Sequence, residues 1–183
     1  MTLLKRLGVI LGLAVAPLPV TAQDLAMQIS LSDQTQWDYF SDQVMGGVSE
    51  GRASFEQIDN QPVLRLTGTV STQNRGGFIQ ARAELAAALP ATAQGVILSL
   101  RGNDQTYFIH LRTNRTVLPW QFYQASFQAT GAWQEVRIPF SDFSPQGRLL
   151  RQSFDVRAVQ SLAIAAYGRD HTADLSVRAV GFY

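Results

Sequence analysis

Apolar and polar residues alternate along most of this chain with a period of two. In residues 62–70, Leu64, Leu66, Gly68 and Val70 alternate with Val63, Arg65, Thr67 and Thr69. Residues 106–114 put Tyr107, Ile109 and Leu111 on one face and Phe108, His110 and Arg112 on the other. Residues 120–127 are aromatic on both faces. In 133–140, Val136, Ile138 and Phe140 oppose Trp133, Glu135 and Arg137. Near the C-terminus Leu175, Val177 and Ala179 alternate with Ser176, Arg178 and Val180, while 95–100 and 161–166 are short, almost wholly apolar runs. Period-two runs separated by Gly, Asn, Asp and Pro predict β-strands with one buried face, joined into an all-β sandwich.

One stretch departs from this rhythm. Residues 81–89 are rich in Ala and Leu and end at Pro90, which predicts a helical turn or two between strands. Residues 144–152 form the longest expected irregular loop. There is no internal repeat, low-complexity tract or interdomain linker.

The first residues follow a different logic. Lys5 and Arg6 precede an apolar run from Leu7 to Val20, interrupted by Pro17 and Pro19, and Val20-Thr21-Ala22 places small residues before Gln23. This is the pattern of a secretory signal cleaved at Ala22/Gln23. The run is shorter than the roughly 20 residues a membrane-spanning helix needs. The expectation is therefore a signal at 1–22, a single domain at 23–183, and a periplasmic or secreted protein. The chain of 183 residues has 15 basic and 14 acidic side chains. Without Lys5 and Arg6 it has 13 and 14, too balanced for nonspecific nucleic-acid binding. Lys5 is the only lysine, so every cation of the domain is Arg, a planar donor suited to carboxylates and phosphates. The absence of cysteine excludes disulfides and thiolate chemistry.

Several segments together resemble the complex I intermediate-associated protein 30 family. They are Trp37-Asp38-Tyr39-Phe40-Ser41-Asp42-Gln43-Val44-Met45-Gly46-Gly47-Val48-Ser49, then Asn74-Arg75-Gly76-Gly77-Phe78 with Arg82, then Tyr107 with Leu111-Arg112. Residues 120–127 and the segment Trp133-Gln134-Glu135-Val136-Arg137-Ile138-Pro139-Phe140 with Phe143 complete the set, in order from Trp37 towards Tyr183. The resemblance implies a galactose-binding-like jelly-roll sandwich and a role like that of assembly chaperones for respiratory complex I. The export signal departs from that setting, which puts the complex I role in doubt while leaving the fold.

Candidate chemistry concentrates in two places. The Asp42–Gly51 segment, with Gly46-Gly47, reads either as a tight turn capped by Asp42 or as a concavity of backbone N–H groups for an anion or hydroxyl. Phe78, Gln80 and Arg82 share a strand face, as do His110 and Arg112. Tyr123 and Gln121 are expected to join them in a patch that takes a sugar, phosphate or carboxylate. The opposing reading makes this face plain solvated exterior.

Signals for catalysis are weak. His110 and His171 are the only histidines, no nucleophile-elbow motif is present, and Asp38, Asp42, Glu50, Glu84, Asp104 and Glu135 mark no glycosidase pair. No cofactor is indicated, and no His/Asp spacing marks a metal site. A loop carboxylate such as Asp104 is the one candidate for a structural Ca²⁺. Core packing is the default for Trp37, Trp120 and Trp133, with Trp37 the one least excluded from a surface role. The expectation is a non-catalytic exported protein that binds a protein partner as an assembly or stability factor. Its alternatives are a carbohydrate-binding module on Phe78, Arg82, Arg112 and Tyr123, and a hydrolase using Asp42 or His110.

Overall fold

The computed structural model describes residues 25–183. The expected period-two runs fall on strands, and the described residues form twelve strands in all: β1 Met27–Gln28, β2 Trp37–Ser41, β3 Glu50–Ile58, β4 Gln61–Val70, β5 Phe78–Glu84, β6 Gly95–Arg101, β7 Gln105–Thr113, β8 Phe122–Ala129, β9 Gln134–Pro139, β10 Ser144–Gln146, β11 Val159–Tyr167 and β12 His171–Phe182. Of these, β1, β2, β3 and β10 lie outside the expected runs. Every pairing is antiparallel. The first sheet has the order β3-β4-β12-β6-β9, with β1 also on β12. The second has the order β10-β8-β7-β11-β5-β2. The many non-sequential neighbours are crossovers between sheets, as in a jelly roll. The signal expected at 1–22 lies outside the described residues.

Alternation explains the core. Leu64, Leu66, Val96, Leu98, Leu100, Leu175 and Val177 face inward from the first sheet, and Ile79, Tyr107, Ile109, Leu111, Leu162 and Ile164 face them from the second. Burying such a side chain stabilises the fold by about 1.5–3 kcal/mol. Tyr107 is the one large polar group at the centre. Its hydroxyl donates to Asn103 Oδ1 at 2.6 Å and accepts from Asp174 N at 2.9 Å, and burial pushes its pKa up to about 12.

Three local expectations are corrected. Residues 81–84 are strand, not helix: Ala81 and Ala83 are buried in β5, which is paired on both sides by β2 and β11. Two-sided sheet pairing overrides the helix preference of alanine. Residues 144–146 form an edge strand inside the expected loop. In β12 a bulge between Val177 and Ala179 shifts the register by one, so Val180 and Phe182 point inward and Ala179 does not.

Trp37 follows the core default. It is buried, and its indole Nε1 donates to Ser30 O at 2.8 Å. The exposed tryptophan is Trp120.

Candidate ligand-binding face

The outer face of the second sheet carries the candidate site. Register places side chains in rows across it. One row runs Asp38, Arg82, Ala163, His110, Gln124. The next runs Phe40, Gln80, Ala165, Phe108, Ser126, and another runs Glu84, Ser161, Arg112. The central strand β11 thus contributes only Ser161, Ala163 and Ala165 to these rows. Larger side chains stand on both sides of this small-residue strip and cover it, so that Ser161, Ala163 and Ala165 are themselves buried and the trough between the side-chain rows is shallow.

Aromatic rings form one wall. His110 stacks on Phe122 with centroids 4.0 Å apart, and the Tyr167 ring stands edge-on to both, at 5.2 Å from His110 and 6.1 Å from Phe122. Phe108 meets Tyr167 edge-to-face at 5.7 Å. His110 is buried, and its Nε2 lies 3.1 Å from Gln124 Oε1. Burial lowers its pKa to about 3, against a small opposing effect of Gln124. The ring is therefore neutral at pH 7 and holds Gln124 in place. A group so far from neutrality does not fit the tuned pKa of a general base.

The opposite wall is polar. The Arg82 guanidinium lies over the Phe40 ring at 4.3 Å, and its Nε is 3.4 Å from Glu84 Oε1. That Nε is buried with no hydrogen-bond partner. Gln80 stands beside it, and Phe78 lies in register with Tyr167 at the far end. Phe78, Gln80 and Arg82 thus share the face the alternation predicts.

The other expected residues are placed differently. Tyr123 points the opposite way: it is buried in the core, packed on Phe154 at 4.7 Å. In β8 the outward positions belong to Phe122 and Gln124, because Tyr123 is one residue out of phase with them. Arg112 lies on the face, but its guanidinium donates to the carbonyls of Thr116 (2.7 Å), Leu118 (3.3 Å) and Pro119 (3.3 Å), clamping the 114–121 loop. Burial lowers its pKa, and the neighbouring Arg82 lowers it further.

Asp42 is fully buried. Its carboxylate accepts hydrogen bonds from Ser49 N at 2.9 Å, Phe78 N at 3.2 Å, the Ser49 hydroxyl and Gly77 N. Burial pushes its pKa up, but these four bonds outweigh that effect and hold it below the ordinary carboxylate range. A Cβ on Gly47 or on Gly76 would overlap this carboxylate, which explains glycine at both positions. Gly46 adopts φ 88°, the left-handed turn expected of the pair. Asp42, Gly46 and Gly47 therefore tie the β2–β3 turn to the start of β5 and turn their polar groups inward.

Two shallow depressions of about 220 and 270 Å³ lie on the first sheet. In the first, Arg65 is already paired with Asp174 at 3.0 Å and Glu56 at 3.7 Å. Among the described residues no group of three His, Asp or Glu side chains is placed to hold a metal ion.

The two antiparallel sheets form a jelly-roll sandwich, with rings, amides and a guanidinium over the outer face of one of them. Its fold is that of carbohydrate-binding modules. The family 11 carbohydrate-binding module from Clostridium thermocellum, in complex with a β-1,3-1,4-mixed-linked tetrasaccharide, matches with a TM-score of 0.69 and 12% identity over 85% of this chain and 94% of that one. The family 11 module of the cellulosomal cellulase Lic26A-Cel5E of the same organism matches with a TM-score of 0.63 and 13% identity, over 80% and 86%. An agarase matches with a TM-score of 0.53 and 8% identity, over 84% of this chain but 24% of the enzyme. No curated protein matches in sequence. The sequence pattern of Complex I intermediate-associated protein 30 (CIA30) matches residues 27–177, and the chain belongs to that family.

Proposed function

We propose that this protein is a non-catalytic, exported binding module whose trough on the second sheet takes an oligosaccharide. The observation that carries this reading is the pairing of the Tyr167/His110/Phe122/Phe108 ring cluster with Gln80, Gln124 and Arg82 across the Ala163–Ala165 strip. Sugar rings have apolar C–H faces that stack on aromatics and hydroxyls that need planar donors and acceptors. The trough supplies both along several rows, which suits an extended chain better than a single sugar. The modules that share this fold include one in complex with a β-1,3-1,4-mixed-linked tetrasaccharide. Export rests on Lys5-Arg6, the apolar 7–20 run and the Val20-Thr21-Ala22 site.

Titration calorimetry with mixed-linked β-glucan and agar oligosaccharides tests the binding. Tyr167→Ala and Gln80→Ala are each expected to weaken it at least tenfold. A folded protein that binds none of a broad glycan array ends this reading.

A second reading, a protein-binding assembly factor, is favoured by family membership and by one feature of the turn. Val44, Met45 and Val48 are exposed on the segment that buried Asp42 holds rigid. A photo-crosslinker in place of Met45 should capture a defined partner in envelope extracts. Capture unchanged by Val44→Asp and Val48→Asp removes the turn from that role.

A further inference from the structure

Seven large apolar side chains are exposed among the described residues, and four of them lie in two adjacent loops. Val117 (80% exposed), Leu118 and Trp120 (62%) belong to the loop between β7 and β8, and Leu149 (86%) to the loop after β10. Strands β8 and β10 pair Phe122 with Gln146, so both loops leave the same end of the sandwich. There Gly147 packs against Gln121.

The first loop is held in shape by its own bonds. Arg112 collects the carbonyls of Thr116, Leu118 and Pro119. The Thr116 hydroxyl donates to Thr113 O at 2.7 Å, and Leu118 N donates to Gln121 Oε1 at 3.1 Å. With its backbone satisfied inward, the loop directs its apolar side chains to solvent.

The same loops carry Arg115, Arg148, Arg151 and Arg157 against one acidic residue, Asp155. Burial raises the pKa of the Tyr123 phenol, Arg115 and Arg151 each oppose that rise, and Arg115 also acts on Asp155. Asp155 is already bonded to Arg157, and Glu84 pairs with Arg82. The end therefore presents protruding apolar tips ringed by guanidinium groups.

We propose that this end of the sandwich docks on an anionic phospholipid surface. Trp120, Leu118, Val117 and Leu149 enter the interface, and Arg115, Arg148 and Arg151 meet the lipid phosphates. Tryptophan favours the headgroup level, and short apolar insertions gain strength from basic neighbours on anionic lipid. Guanidinium groups bind phosphate bidentately. The side chains stand out singly from two convex loops, and neither depression of the first sheet involves them, so a bilayer fits this end better than a protein surface does. Docking here leaves the trough open, because its rows run across the outer face of the second sheet, from β2 and β5 over β11 to β7 and β8, and not over the loop tips.

The test uses the chain from Gln23 onward, which carries every described strand. It is sedimented with vesicles of phosphatidylcholine alone and of phosphatidylcholine mixed with phosphatidylglycerol. Binding is expected only to the mixed vesicles, weakening with salt. Replacing Arg115, Arg148 and Arg151 together by Ala should lower partitioning roughly a hundredfold, at about one kcal/mol per arginine near the surface. Trp120→Ser with Leu149→Ser should abolish it. The vesicle-induced blue shift of tryptophan fluorescence should vanish in Trp120→Phe, since Trp37 is buried and Trp133 lies on the first sheet against Arg101 and Arg178. Glycan binding should be unchanged in all of these variants, which separates this proposal from the trough. Failure of the folded wild type to bind mixed vesicles overturns the proposal. So does equal binding by the triple arginine variant, or capture of a protein through Trp120 without vesicle binding.

Discussion

His110 lies nearly parallel to Phe122, with 4.0 Å between ring centroids and 20° between planes, and it does so as a buried, neutral imidazole. The polar outer face of a sheet is an unusual place to bury a histidine. Phe122, Tyr167 and Phe108 surround it, and its polar partner is Gln124. The ring serves as part of the wall and as a positioning group for an amide.

Burial of His110 makes stability depend on pH. In the unfolded chain this histidine protonates near pH 6.5, and in the fold only near 3. Below pH 6.5 the unfolded state therefore binds more protons, and stability falls as pH falls, by at most about 1.4 kcal/mol per pH unit from this residue. His171 is shifted in the same direction by burial and adds to the trend. Urea unfolding of wild type and His110→Gln at pH 7 and pH 5 checks this. The stability gap between them should narrow, or reverse, at the lower pH. Parallel behaviour would mean that His110 titrates as an exposed histidine does.

Removing the Asp42 carboxylate leaves Ser49, Gly77 and Phe78 N–H groups without an acceptor. Asp42→Ala is expected to destabilise the fold by about 3–5 kcal/mol, read from denaturant midpoints. Gly47→Ala should act through the same group, because its methyl displaces the carboxylate. Combining the two should cost less than the sum of the singles.

Arg82→Ala should change affinity more than stability. Its ion pair with Glu84 is partly solvated, and such pairs contribute about 0–1 kcal/mol. Its guanidinium stacks on Phe40 at the trough wall, and its Nε is buried without a hydrogen bond. Calorimetry is expected to show at least a tenfold loss of oligosaccharide affinity with a melting temperature within a few degrees of wild type.

Arg112→Gln should loosen the 114–121 loop. Hydrogen exchange is expected to accelerate at the Thr116, Leu118 and Gln121 amides, with the β7 and β11 amides unchanged. Vesicle binding should weaken as well, although Arg112 itself meets no lipid, because the apolar tips lose their fixed orientation.

Much of the sheet architecture was legible in the alternation, since a one-sided strand must repeat every two residues. The outward set Phe78, Gln80 and Arg82 and the inward set Tyr107, Ile109 and Leu111 both follow from it. The rule failed where a longer-range effect shifted the phase. The bulge at Arg178 reverses the facing of Ala179 and Val180. Tyr123 was misplaced because residues 120–127 are aromatic on both faces, so hydrophobicity alone gave no phase. Ala81 and Ala83 were read as helical because alanine carries a helix preference that only pairing on both edges overrides.

The amino-acid sequence by itself determined the strands, the family and the residue types available for recognition, because these depend on local spacing and on which side chains are present. Tertiary structure alone decided which of them meet. Tyr167 joins His110 and Phe122 across two strand pairings far apart in sequence. Asp42 disappears into a latch because Gly77 and Phe78 arrive from another loop. Arg112 turns from an open cation into a clamp on the loop that lifts Trp120 into solvent. Register and crossovers bring these groups together, and no local pattern in the chain encodes that distance.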